Sequence, residues 1–150
     1  MLLRKATVED LDAVLRIERN VFSSDLFNRR QFRYLMTRAK AVFTVVDEES
    51  GVAGYSILFT PSHLRHSRVY NVAVSKEARG KGCGKALLYK MEEDSRNLSY
   101  SAIRLEVRRD NEPAIRLYEQ SGYCKIGEKP GYYEDGQDAL IYQKSLNRET

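Results

Sequence analysis

Between positions 79 and 85 the sequence runs RGKGCGK, with three glycines and three basic residues in seven, and an apolar helical pattern follows from Ala86. A strand, a Gly-rich turn and a helix in that order form a general anion site. Exposed backbone N–H groups and the positive end of the helix dipole converge there, and glycine lets a phosphate come close. Two familiar forms fail on spacing. A P-loop needs Gly five residues before Gly84 and Ser or Thr after Lys85, where this chain has Arg79 and Ala86. The dinucleotide fingerprint fails because Lys85 and Leu87 stand where its third glycine belongs. The arrangement present is Arg79-x-x-Gly82-x-Gly84.

This loop resembles the pyrophosphate loop of the GNAT (GCN5-related N-acetyltransferase) family, whose form is Gln/Arg-x-x-Gly-x-Gly/Ala. A second and longer likeness lies in 104-RLEVRRDNEPAIRLYEQSGYCKIG-127, which is similar to the family's LEVRxxNxxAIxLYexxGF segment, with Gly122-Tyr123 in place of Gly-Phe. With 131-GYYEDGQDALIYQKSL-146 it resembles the branch typified by ribosomal-protein alanine N-acetyltransferases. The likeness is strong from about residue 68 to 146 and thin before it.

The resemblance implies transfer of an acetyl group from acetyl-CoA to a primary amine. That reaction needs a neutral nucleophile, stabilisation of an oxyanion and a proton for the departing thiolate. It assigns Glu106 as general base and Tyr118, twelve residues on, as general acid. It gives the coenzyme the backbone of Val72, Ala73 and Val74, the loop Arg79, Gly80, Lys81, Gly82, Cys83, Gly84 and Lys85, and the side chain of Asn111. Other readings stay open: a strand carboxylate paired with arginine for Glu106, a core aromatic for Tyr118, and a turn residue before Pro113 for Asn111. Cys83 has no nearby His to make it a nucleophile. His63 and His66 form an HxxH without a carboxylate, and no metal site is expected.

The elements that must position these residues follow from periodicity. Residues 8–22 carry apolar side chains at helical spacing behind Thr7 as N-cap, and residues 28–38 form a second helix ringed by Arg29, Arg30, Arg33 and Arg38. β-rich runs at 41–47 and 52–60 flank an EESG turn, and a further strand covers 68–75. A helix from Lys85 to about Asn97 turns Ala86, Leu87, Met91 and either Tyr89 or Lys90 inward. A strand at 101–109, a helix at 113–120 ended by Gly122, and strands at 123–126 and 139–143 complete the order. The expected fold is α/β, the single-domain GNAT fold over residues 1–150, with a mixed central β-sheet of about six to seven strands flanked by about four helices.

With 150 residues, 42% hydrophobic and 31% charged, the chain has the size and balance of one globular domain. The two cysteines suggest neither disulfide nor zinc, and with no apolar run long enough to span a bilayer and no apparent signal, a cytoplasmic protein without membrane partners is expected. A net charge of +4 does not establish nucleic-acid binding, and none is expected. The oligomeric state is left at monomer or homodimer.

The acceptor is less constrained. A free α-amine, with a pKa near 7.7 to 8.0, is roughly a tenth uncharged at neutral pH, against less than about one part in a thousand for lysine. A single modest base therefore serves a protein N-terminus more easily. The acidic stretch 134-EDGQD-138 would attract a cationic acceptor, whereas the arginines of the second helix would favour an acidic one. No Pro-Trp pair of the kind found in ribosomal-protein acetyltransferases occurs in 22-FSSDLFNRR-30. A small-molecule amine, a protein lysine, a non-catalytic acyl-CoA-binding module and a nucleic-acid surface on the second helix are the competing readings.

Overall fold

In the computed structural model, which describes residues 1–22 and 27–146, the first element is a strand absent from the sequence reading, β1 (Leu2–Lys5). Four residues, LLRK, are too few to show a period. The strand exists because it pairs with β2 (Ala41–Glu48) and because Arg4 is pinned by Asp47 and Asp10. Asp10 also accepts the Thr7 N–H at 2.8 Å, so Thr7 caps a 3-10 turn, Val8–Asp10, and α1 (Leu11–Val21) begins only after it. Arg4 beside it holds the Asp10 carboxyl below the usual carboxylate range.

Helix α2 (Arg29–Thr37) opens with a reciprocal cap. Asn28 accepts from the Gln31 N–H at 2.9 Å, and the Gln31 side chain accepts from the Asn28 N–H at 2.8 Å. The remaining elements are β3 (Gly51–Phe59), β4 (His66–Val74), α3 (Cys83–Asn97), β5 (Ala102–Arg108), α4 (Glu112–Gln120), β6 (Cys124–Lys129) and β7 (Ala139–Ser145). They form one seven-stranded sheet in the order β1-β2-β3-β4-β5-β7-β6, in which only β4 and β5 are parallel neighbours.

Two layers of helix cover the sheet. On one face, Leu11, Val14, Leu15 and Ile17 of α1 and Phe32, Leu35 and Met36 of α2 pack on Phe43, Val45, Tyr55 and Ile57. Phe32 is wholly buried, and truncating it to alanine would cost about 3–5 kcal/mol. On the other face, α3 sets Leu88 and Met91 on Leu58, Val69, Ile103 and Leu105, while α4 contributes Ala114, Ile115 and Tyr118. Leu88, rather than Tyr89 or Lys90, joins Leu87 and Met91 inside; Tyr89 is 49% exposed. The helix also begins two residues earlier than periodicity suggests, because Gly82 itself is the N-cap.

Candidate active site

Parallel pairing of β4 and β5 runs from His66 opposite Ala102 to Val69 opposite Leu105 and stops there. Beyond it β4 stays with β3 as far as Val74, and β5 stays with β7 as far as Arg108. The two central strands therefore part, leaving a wedge in the middle of the sheet. Tyr70 marks the point of separation. Val69 opposes Leu58 and Asn71 opposes Ile57, so Tyr70 is the extra residue of a β-bulge. The bulge also reverses which side chains face which layer. Before it Val69 packs toward α3 and α4; after it Asn71 and Ala73 lie on the α1 side, and Val72 and Val74 pack with Leu87.

On the β4 side the site is built mainly from backbone. Residues 70–74 have no strand partner toward β5, so alternate N–H and C=O groups of this edge face the wedge. A 3-10 turn, Lys76–Ala78, then leads into the glycine loop. Gly80 and Gly82 adopt φ of +81° and +83°, and a Cβ placed on either would meet nothing within 4 Å. Backbone conformation requires glycine at both, and the space outside them is open to a ligand. The first bond of α3 is Ala86 N–H to Gly82 O, which leaves the N–H groups of Cys83, Gly84 and Lys85 without an intrahelical acceptor. No acidic residue lies in that first turn, and Arg79, Lys81 and Lys85 are exposed around it. This cradle fits a pyrophosphate. Cys83 turns its side chain inward at 1% exposure, 3.9 Å from Glu48, and burial pushes its thiol up, so only its N–H faces the loop's outer side.

On the β5 side the site is built from side chains. Ile103, Leu105 and Val107 are buried under α3 and α4, which turns Arg104, Glu106 and Arg108 to the opposite face. Glu106 Oε1 accepts from Arg68 Nη2 at 2.5 Å and from Lys129 Nζ at 3.3 Å. Its Oε2 is buried and, like Arg68 Nε, has no hydrogen-bond partner among the described residues. Two unpartnered buried polar atoms at the apex of a gap are a cost that a structural ion pair alone would not carry. The pairing with arginine foreseen as the alternative reading is real, and one oxygen of the carboxylate remains outside it.

Tyr118 approaches from the other layer. Its ring lies 5.8 Å from that of Tyr123 and packs on the cluster holding Leu105 and Val107. Burial pushes its phenol up to about 12, so it stays protonated throughout the neutral range. Tyr123, where the resembled segment has Phe, gives its hydroxyl to Glu92 at 2.9 Å, and Lys144 meets the same carboxylate at 3.0 Å. Asn111 accepts from the Ala114 N–H at 3.3 Å and so caps α4. The turn reading of Asn111 is thereby realised in its side-chain oxygen.

Several residues around the wedge could not be found from the sequence. Arg68 and Lys129 reach Glu106 across 38 and 23 positions, a register no local pattern records. Glu18, 1% exposed on α1, accepts from Tyr55 OH at 3.0 Å, from the Phe27 N–H at 3.0 Å and from Asn71 at 3.4 Å. Burial lifts its carboxyl above the usual range against those bonds. This network joins α1, β3, the residue following the bulge, and Phe27, whose ring lies 5.3 Å from Tyr70. Residues 23–26, within the 22-FSSDLFNRR-30 stretch, lie outside the described residues. His66 opens β4, where burial and the charges of Arg104 and Arg68 depress its proton affinity and would oppose a bound cation. Among the described residues no group of three or more His, Cys, Asp or Glu could hold a metal, and no helix is long and apolar enough to cross a membrane.

Known proteins share this architecture. An N-alpha-acetyltransferase of Saccharolobus solfataricus is 33% identical over 96% of this chain and 92% of its own. Ard1 from Thermoplasma volcanium superposes with a TM-score of 0.89 at 25% identity, over 98% of each chain. The ribosomal-protein-S18-alanine N-acetyltransferase from Escherichia coli superposes at 0.87, with 23% identity, over 99% of this chain and 96% of that one. The sequence profile of the Acetyltransferase (GNAT) family matches residues 8–123, from the start of the first 3-10 turn to the residue just before β6. The parted β4 and β5, the glycine loop at the head of α3 and the Glu106 strand are thus found in a chain that belongs to the GNAT family of N-acetyltransferases.

Proposed function

We propose that residues 1–150 work as one N-acetyltransferase domain that moves an acetyl group from acetyl-CoA to the α-amine of a protein N-terminus. The observation that carries this reading is the parted pair β4 and β5, with Glu106 on one face of the sheet and Tyr118 on the other. Two groups so placed can serve one reacting centre only through the gap between the strands. The likeness to an N-alpha-acetyltransferase over nearly the whole of both chains supports the choice of amine.

Acetyl-CoA supplies an acyl group on a thioester whose leaving group is a thiolate. The N–H groups of residues 80–85 hold the pyrophosphate, with Arg79, Lys81 and Lys85 adding charge around them. The free edge of Val72, Ala73 and Val74 holds the pantetheine amides as an added strand would, and Asn111 lies beside that arm. Glu106 takes a proton from the incoming amine on Oε2, directly or through water, while Arg68 and Lys129 keep Oε1 and fix the carboxylate's orientation.

Tyr118 faces the sulfur. A sulfur still bonded to the acyl carbon is far too weakly basic to take the proton of a phenol pushed up to about 12, so full proton transfer before the C–S bond breaks is strongly uphill. Tyr118 therefore donates a hydrogen bond to the growing charge first and its proton as the thiolate leaves, and regains a proton from solvent.

The test is mass spectrometry of peptides incubated with the protein and acetyl-CoA. Each peptide carries a free N-terminus and an internal lysine. Acetylation confined to the α-amine is expected. Modification of the lysine alone, or turnover only with a small amine, would overturn the reading.

A further inference from the structure

The sequence sets two opposing cues for the acceptor, the acidic stretch 134–138 and the arginines of α2, to which α1 adds Arg16 and Arg19. The structure treats them unequally. Asp135 is bound by Arg108, Asp138 by Arg109, and the neighbouring Glu128 by both Arg109 and Lys125; Glu134 is the carboxylate of this connection without a cation partner among the described residues. The acidic connection is therefore largely neutralised from within.

The arginines are not. Arg29 pairs with Asp12, but Arg16, Arg19, Arg30, Arg33 and Arg38 are exposed and form no ion pair with any described residue. Arg16 and Arg19, with the paired Arg29, shape a cleft. Asp12, Leu15, Arg16, Arg19, Asn20 and Arg29 line a space of about 290 Å³ between α1 and α2, with three guanidiniums against one carboxylate. The other acidic groups of these elements do not offset them: Glu9 lies in the turn before α1, and Glu18 is buried on the inner side against Tyr55.

The chain that leads into α2, which carries Arg29, starts beside the wedge. Arg68, which holds Glu106, lies 5.9 Å from the Tyr70 ring, and Tyr70 lies 5.3 Å from Phe27, two residues before Arg29. Extended chain advances about 3.3 Å per residue, so a polypeptide with its amine at Glu106 reaches this face within a handful of residues.

We infer that the arginine face of α1 and α2 docks an acidic segment of the acceptor polypeptide, downstream of the amine that is acetylated. This rests on the N-terminal α-amine reading and adds the acceptor's chemical class. Exposed guanidiniums recognise carboxylates through paired hydrogen bonds, and such contacts weaken with salt.

The experiment uses three peptides alike in their first residues and carrying four acidic, four amide or four lysine residues from the fourth position on. Each is made with a free and with an acetylated N-terminus. Binding is read by fluorescence anisotropy at low and high salt, and acetylation by mass. The acidic peptide should bind about tenfold more tightly than the lysine peptide, as two or three exposed ion pairs allow. That preference should vanish in high salt and in the Arg16→Glu/Arg19→Glu variant, whose fold is checked by thermal unfolding. Equal binding of all three peptides, or a preference that survives in the variant, overturns the inference. Displacement of the acidic peptide by an oligouridylate of equal charge at lower concentration would reassign the face to nucleic acid and overturn it too. Acid-selective binding without acetylation of any free-amine peptide would instead sink the α-amine reading and leave the docking result standing.

Discussion

The two borders of the β4–β5 wedge differ in what they present. Along residues 70–74 of β4 and the glycine loop at the head of α3, the groups offered are main-chain N–H and C=O, with the exposed Arg79, Lys81 and Lys85 around the loop. Along β5 and α4 they are one carboxylate held at a single oxygen and one phenol kept protonated by burial. In the proposed mechanism the first border carries binding and the second carries chemistry. Substitutions on the two should therefore move different constants.

The largest effect is expected from Tyr118→Phe. It should lower kcat by about 100-fold or more, within the range of a general acid, while the dissociation constant of CoA measured by calorimetry stays near that of the wild type. Because the phenol lies near 12, ionisation of Tyr118 should not shape the kcat profile below about pH 10. A comparable loss of CoA affinity would break the division between the borders.

Glu106→Gln comes next. It keeps the size of the side chain and removes the base, and kcat/KM for the peptide should fall by about 10-fold to 100-fold. The loss should be greatest at low pH, where the α-amine is mostly charged, and steady-state rates across pH would show it. On the other border, Gly82→Val forces a β-branched residue into φ +83° and should raise the KM for acetyl-CoA about tenfold with a smaller change in kcat. Val72→Ile should shift neither constant by more than about twofold, since only its backbone serves the ligand.

Much of this was legible in the sequence, and the reason differs by element. Strand β5 was readable because strict alternation sets Leu105 and Val107 against Glu106. The loop was readable because glycine alone tolerates the φ of residues 80 and 82. What was hidden depends on register. The Tyr70 bulge arises from how β3 and β4 pair, and nothing in RVYNVAV announces it. Arg68, Lys129 and Glu18 gain their meaning from partners far along the chain. The conflict between the acidic connection and the arginines could not be weighed without knowing that Arg108 and Arg109 already occupy the former.

Glu18 offers a subtler check on the scaffold behind the acceptor side. Its folded carboxyl is raised above the unfolded value near 4.3, so the folded state holds that proton to higher pH. The stability contributed in this way is complete below the unfolded value and is lost as pH rises through the folded one. Glu18→Gln should flatten that segment of the stability curve, measured by urea unfolding across the acid-to-neutral range.

The division of labour across the wedge is tested most directly in the Glu106→Gln/Tyr118→Phe double variant, by single-turnover transfer to an α-amine peptide alongside calorimetric CoA binding. The account predicts a CoA dissociation constant within about twofold of the wild type and transfer reduced at least as far as in Tyr118→Phe alone. Transfer that persists near the wild-type rate, or CoA binding lost together with it, would contradict the account.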